Sequence, residues 1–125
     1  MVRGRGARSA LTQQAIRKLA LALPEAEESA HMGRPDFRVR GKIFATLPPD
    51  GKSFNVKIAP VNLDALVAAV PQTYRDVWAG RWVGVQLSGV TAKEASDLLK
   101  DGWGLVAPAS LRKKAHSPAT RATKP

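Results

Sequence analysis

An α+β sandwich of two layers, an antiparallel sheet with helices on one face, is the fold this sequence predicts. Three observations predict it. Apolar residues recur at helical spacing near both ends: Leu11, Ala15, Ile16, Leu19 and Leu23 in the first stretch, Leu98 and Leu99 after a capping motif in the last. Between them, "FRVRGKIFATL" and "FNVKI" alternate apolar and polar side chains with the period of two expected of a half-buried strand. Turn formers such as "PPDGKS" punctuate these runs. The resulting order of helix, strands, helix, strand, helix sorts into one sheet layer and one helix layer.

Taken in order, Ser9 is placed to cap a first helix through Leu23, whose polar side carries Gln13, Gln14, Arg17 and Lys18. Pro24 ends that helix, because a residue before proline is pushed out of the α region. "EAEESAHMGRPD" reads as a polar connection with a short strand near His31–Met32. Strands follow at Phe37–Arg40, Ile43–Leu47 and Phe54–Ile58. Asn62 is a candidate cap for a short helix carrying Leu63, Leu66, Val67 and Val70, stopped by Pro71. "QTYRDVWAG" reads as a loop, and Arg81–Leu87 as a strand with Val83, Val85 and Leu87 inward and Trp82, Gly84 and Gln86 outward. "TAKE", Thr91 to Glu94, is a capping box that opens the final helix. Gly102 and Gly104 weaken its continuation to Val106, since each costs ~1 kcal/mol against alanine.

The chain has 125 residues, the size of one domain, and no cysteine, which excludes disulfides and thiolate metal sites. Its net charge of +10 invites a polyanionic partner. That charge is uneven. Residues 1–10 carry Arg3, Arg5 and Arg8 without an acid, and residues 111–125 carry Arg112, Lys113, Lys114, Arg121 and Lys124 without an acid. The body between is nearly balanced. The expected organisation is a basic, disordered N-terminus over 1–8, a folded domain over 9–111, and a basic, disordered tail over 112–125 rich in Ala, Pro, Ser and Thr. "LALAL" is too short for the ~7–15-residue core of a signal peptide, and no window approaches the ~18 apolar residues of a membrane span. A cytoplasmic protein without a membrane partner is expected.

"LALPEAEES" before "HMGRPDFRVRGKIFATL", then "FNVKIAP", "WAGRWVGVQL" and "DLLKDGWGLVAP" together resemble the MmcQ/YjbR family of small bacterial proteins, over about residues 11–111. The most specific element is "FRVRGKIFA", followed at the right distance by Trp82–Val85 and by Val106–Pro108. The resemblance implies a compact α+β fold similar to CyaY (frataxin) and secretion-chaperone-like arrangements. It also implies a DNA-binding role resting on a double-wing likeness, with no catalytic positions to carry over. The chain departs from the family at Gly102–Trp103–Gly104, where a helix usually continues, and at "ASL" after Pro108, where a basic residue is often expected.

With a two-residue turn at Gly41, Phe37, Val39 and Phe44 share one face, and Arg38, Arg40, Ile43 and Ala45 the other, whereas a three-residue loop would turn Phe44 outward. The helix-free face then collects Arg38, Arg40, Lys57 and Trp82, with Lys42 beside them: cations around an aromatic that suit phosphates and an unstacked base. Arg112, Lys113 and Lys114 would add charge from the tail. The plainer alternative is a solvated sheet face whose cations guard against aggregation. Trp103 is expected in the core against the first helix; Trp78 is expected under its own loop, the alternative being a partner surface shared with Trp82.

His31 with Glu27, Glu28 or Asp36 would make a poor metal site, and a structural hydrogen-bonding histidine is the simpler reading. Glu25, Glu27 and Glu28 read as a solvated cluster at a helix end. No serine stands in a nucleophile elbow and no glycines form a phosphate loop. The expectation is therefore a monomeric, non-enzymatic protein without a cofactor that binds DNA weakly and with little sequence preference. The alternatives are a protein-interaction or chaperone-like adaptor using the helix-free face and, on fold analogy alone, a metal binder.

Overall fold

The computed structural model describes residues 11–113, and these form helix α1 (Gln13–Leu21), strands β1 (Ala26–His31), β2 (Arg34–Val39), β3 (Lys42–Thr46) and β4 (Ser53–Lys57), helix α2 (Pro60–Ala69), strands β5 (Tyr74–Trp78) and β6 (Trp82–Gln86), and helix α3 (Ala92–Val106). A last helical turn, α4, covers residues 109–113. The six strands form one antiparallel sheet in the order β1-β2-β3-β4-β6-β5. Helices α1 and α3 pack on each other and on the sheet, while α2 lies against β5. The fold is the α+β sandwich anticipated from the sequence, with more strand than was read.

Two hairpins make one wing of the sheet. His31 pairs with Arg34 across Met32–Gly33, and Val39 pairs with Lys42 across Arg40–Gly41. Both turns place both central residues at positive φ, 53° and 80° in the first, 53° and 84° in the second. That is the two-residue turn whose twist matches the strands, and glycine takes its second position without steric cost. β1 therefore spans all of Ala26–His31, where the sequence suggested a polar connection with a short strand. Its side chains are mostly exposed, so it carries no apolar alternation to read.

A bulge corrects the assignment of faces. Phe37 pairs with Ala45 but Arg38 pairs with Ile43, which leaves Phe44 as an extra residue on β3. Phe37, Val39 and Phe44 are fully buried, as expected, but so is Ala45, which simple alternation had placed on the open face. Beyond the bulge it is Thr46 that returns to that face. "YRDVW", read as a loop, is edge strand β5, whose pattern is broken by a second register shift between Asp76 and Trp78.

Local signals account for most helix ends. Ser9 lies outside the described residues, and the cap of α1 is Thr12, whose Oγ1 accepts from the Ala15 amide at 3.1 Å. α2 starts at Pro60 with Ala59 as its cap, so Asn62 is an interior residue. The capping box is complete: Thr91 Oγ1 accepts from the Glu94 amide at 3.1 Å, and Glu94 Oε1 accepts from the Thr91 amide at 2.8 Å. α3 continues through Gly102 and Gly104 to Val106. Gly102 is needed there, because a Cβ at that position would lie 2.8 Å from the Lys57 carbonyl oxygen and 2.6 Å from Val56 Cγ2. Trp103 is buried, as expected, and its Nε1 donates to the Pro24 carbonyl at 2.9 Å.

Candidate nucleic-acid interface

The helix-free side of the sheet is concave. The β1–β2 hairpin rises at one edge and the β5–β6 hairpin at the other, with β3 and β4 as the floor between them. The space enclosed is about 550 Å3. His31, Met32 and Arg34 line it from the first hairpin, Val77, Trp78 and Trp82 from the second, and Ile43, Thr46 and Asn55 from the floor. The size matches one small ligand or one unstacked nucleotide rather than a duplex.

Strand geometry explains how these residues meet. Thr46 pairs with Asn55 and Asn55 with Gly84, and two residues along Lys57 pairs with Trp82, so two neighbouring rows of side chains cross the sheet on this face. Asn55 Nδ2 donates to Thr46 Oγ1 at 3.3 Å. Gly84 keeps the floor low: a Cβ there would lie 2.7 Å from Val77 Cγ1 and 3.3 Å from Asn55 Oδ1. At the β5–β6 turn, Asp76 Oδ1 accepts from the amides of Trp78 and Gly80, both at 3.0 Å, which holds the tryptophan-bearing corner in place.

Trp78 is 67% exposed, contrary to the expected packing under its loop. The bulge beside it turns the side chain towards the groove instead of the core. Trp82 is half-buried, and Lys57 Nζ sits over its ring, 5.6 Å from the centroid, within cation–π range. Met32, at the tip of the opposite hairpin, is 85% exposed. Met32 and Trp78 thus stand exposed at opposite walls of one groove, with half-buried Trp82 lining the same space, a closer grouping than scattered surface apolar residues make.

The cations singled out in the sequence take four different positions. Arg38 forms a forked pair with Asp36, Nε to Oδ1 at 2.8 Å and Nη2 to Oδ2 at 3.0 Å. Asp36 is fully buried on this face, so much of Arg38's charge is spent inside the protein. Hydrogen bonding to Asp36, opposed by burial and aided by its charge, raises the Arg38 pKa further. Arg40 is a turn residue, not part of the sheet face, and it makes a similar fork with Glu25 at 2.7 and 3.0 Å. Lys42 is exposed at the start of β3, beside that turn. Lys57 alone of the four bases predicted on the strands and their turn stands beside the tryptophans.

Arg112, counted with the tail in the sequence, belongs to α4 and donates through Nη1 to the Ala107 carbonyl at 2.8 Å, closing the end of α3. Lys113 is exposed on the same turn, and Lys114 lies outside the described residues. Arg34 and Asn55 were missed. Arg34 was hidden in a stretch read as a connection, and Asn55 was noted only as the polar partner in an alternating strand. Glu25, Glu27 and Glu28 are all exposed, as expected of a solvated cluster, and within it Glu28 pairs with Arg17 of α1 at 2.9 Å and Glu25 with Arg40 at 2.7 Å. Among the described residues no three His, Cys, Asp or Glu side chains converge on a metal position, and no helix is long and apolar enough to cross a membrane.

The model of the YjbR family matches residues 21–105, from the end of α1 to the last turn of α3. The chain belongs to the YjbR family. Among solved structures, a YjbR-type fold recurs in the Deinococcus radiodurans protein DR2400, which carries a DUF419 domain. It is 22% identical, with 85% of this chain and 88% of that one covered and a TM-score of 0.70. A Pseudomonas syringae protein is similar at 18% identity, covering 76% of this chain and 97% of its own, with a TM-score of 0.58. Both likenesses show the fold. No curated protein matches the chain.

Proposed function

We propose that this YjbR-family protein is a non-enzymatic nucleic-acid-binding protein whose concave sheet face takes an unstacked base of a single strand. The observation that carries this is Trp78, two-thirds exposed at the wall of a nucleotide-sized groove, opposite a hairpin bearing Arg34. Aromatic platforms beside cations are how proteins hold single strands, because every base offers a π face and the backbone offers phosphates. Lys57 already covers one face of Trp82, so Trp78 is the principal stacking surface. Arg34 and Lys57 are placed for phosphates, while the basic segments at 1–10 and 114–125 add attraction that does not depend on sequence.

Titrating short single-stranded DNA against tryptophan fluorescence tests this, since buried Trp103 contributes a constant background. Trp78→Ala is expected to weaken binding by about ten- to a hundredfold, from ~1–3 kcal/mol per stacked base, and Trp82→Ala by less. Each phosphate contact should steepen the salt dependence by ~0.7 in log–log slope on a single strand, so Arg34→Ala and Lys57→Ala should each flatten it by about that amount. If both tryptophan variants bind like the parent, and binding vanishes when the chain is trimmed to residues 11–113, the groove is not the site. Exposed Met32 and Trp78 would then mark a surface for a protein partner.

A further inference from the structure

One wall of the groove carries its own chemistry, in His31 and Arg34. They are the last pair of the β1–β2 hairpin, directly opposite each other across the Met32–Gly33 turn. Opposed residues of an antiparallel pair share a face, with Cβ atoms about 5 Å apart, and both of these side chains line the groove. Both are exposed, and neither makes a hydrogen bond or ion pair with a described residue, so the structural hydrogen bond expected of His31 is not formed there. No carboxylate lines the groove to answer them. Asp36, two residues along β2 on the same face, is fully buried and forked to Arg38. The wall therefore presents adjacent donors without an acid: a guanidinium whose planar fork fits two phosphate oxygens, and an imidazole that offers an N–H in either charge state.

We infer that His31 and Arg34 hold a terminal phosphate, so that the groove takes the phosphorylated end of a strand in preference to a nucleotide in its interior. This rests on the groove being a nucleic-acid site. A diester within a strand carries one negative charge, which a single cation answers. Lys57, beside Trp82, suits such a group. A terminal monoester carries roughly 1.5 to 2 charges at neutral pH and gathers three strong acceptor oxygens on one phosphorus. Two donor groups side by side, one of them a fork, match that higher charge and that number of oxygens. Trp78, on the opposite wall, then meets the base of the same nucleotide, and a space of about 550 Å3 accommodates one nucleotide.

The test uses the full chain and one short single-stranded DNA in three forms, with hydroxyls at both ends, a phosphate at the 5′ end or a phosphate at the 3′ end, followed by tryptophan quenching. One phosphorylated form is expected to bind about ten- to a hundredfold more tightly than the hydroxyl form, the worth of a charge-assisted hydrogen bond. The matching nucleoside monophosphate should bind too, more weakly than the strand; equal affinity would keep the phosphate assignment and name a free nucleotide as its source. Any added negative charge is attracted to a chain of net charge +10, so the variants decide. Arg34→Gln and His31→Ala should each bring the ratio between phosphorylated and hydroxyl forms close to one. Lys100→Gln, at an exposed position of α3 on the helix layer, should change both forms alike and keep the ratio. Equal binding of all three forms by the parent overturns the inference and leaves the groove as a nucleic-acid site. A phosphate preference that survives both Arg34→Gln and His31→Ala overturns it too. Absence of quenching by any form overturns both the groove assignment and this inference.

Discussion

Trp103→Ala is expected to remove about 3–5 kcal/mol of stability, the usual cost of deleting a large aromatic from a closed core. Trp103 is only 2% exposed and lies on the face of α3 that also buries Ala95, Leu99 and Gly102. Its ring joins the two helices to the sheet, and its Nε1 closes the chain end of α1 by donating to the Pro24 carbonyl at 2.9 Å. Alanine would leave a void under α1 and strip that carbonyl of its donor. For a domain of about a hundred residues, the melting temperature should fall by on the order of 15 °C or more. Trp103→Phe separates the two contributions: it keeps most of the apolar volume and loses only the hydrogen bond, at roughly 1–3 kcal/mol. Thermal denaturation followed by circular dichroism measures both. A drop of only a few degrees for Trp103→Ala would mean that the helix layer is not held through this residue.

The second large effect has a sign that helix propensity alone gets wrong. Gly102→Ala gains ~1 kcal/mol of propensity and is nevertheless expected to destabilise by about 1–3 kcal/mol, the range for overpacking a full core. The new Cβ would meet the Lys57 carbonyl oxygen at 2.8 Å and Val56 Cγ2 at 2.6 Å. A carbonyl in the middle of a sheet has no rotamer to escape into, so α3 must lift away from β3 and β4. Gly104, two residues on, is the control. A Cβ there would meet only Arg112 Cδ, at an ordinary 3.9 Å. Gly104→Ala should therefore raise stability, by up to about 1 kcal/mol. Urea midpoints for the two variants should move in opposite directions. If both rise, α3 does not ride as close to the sheet as Gly102 implies.

Much of the architecture was legible in the sequence. Alternation placed Phe54, Val56, Val83 and Val85 in the core, the "TAKE" box placed the start of α3, and Gly41 placed a turn between two strands. What failed did so where local pattern and packing disagree. The mostly exposed β1 lacks an apolar face, so no period marks it. Bulges at Phe44 and beside Val77 shift the alternation by one, sending Ala45 inward and Trp78 outward. Glycines that spoil a free helix let α3 approach the sheet, and the packing gained there outweighs the propensity lost.

The candidate site was only half legible for a related reason. A sequence shows where cations stand but not which carboxylates reach them. Arg38 and Arg40 appeared as a basic stripe, and tertiary contacts tie them to Asp36 and Glu25, two and fifteen residues away. Arg34, Asn55 and Trp78 come from three separate strands; the first two were unremarkable singly, and Trp78 was expected mainly under its own loop. By itself, then, the sequence determined the fold class, the family and the basic character, because periodicity, turn chemistry and charge are local properties. The concave groove was decided by the tertiary structure alone. It depends on two register shifts and on the pairing of β4 with β6 across the intervening helix and β5, contacts between residues far apart in the chain that no local pattern records.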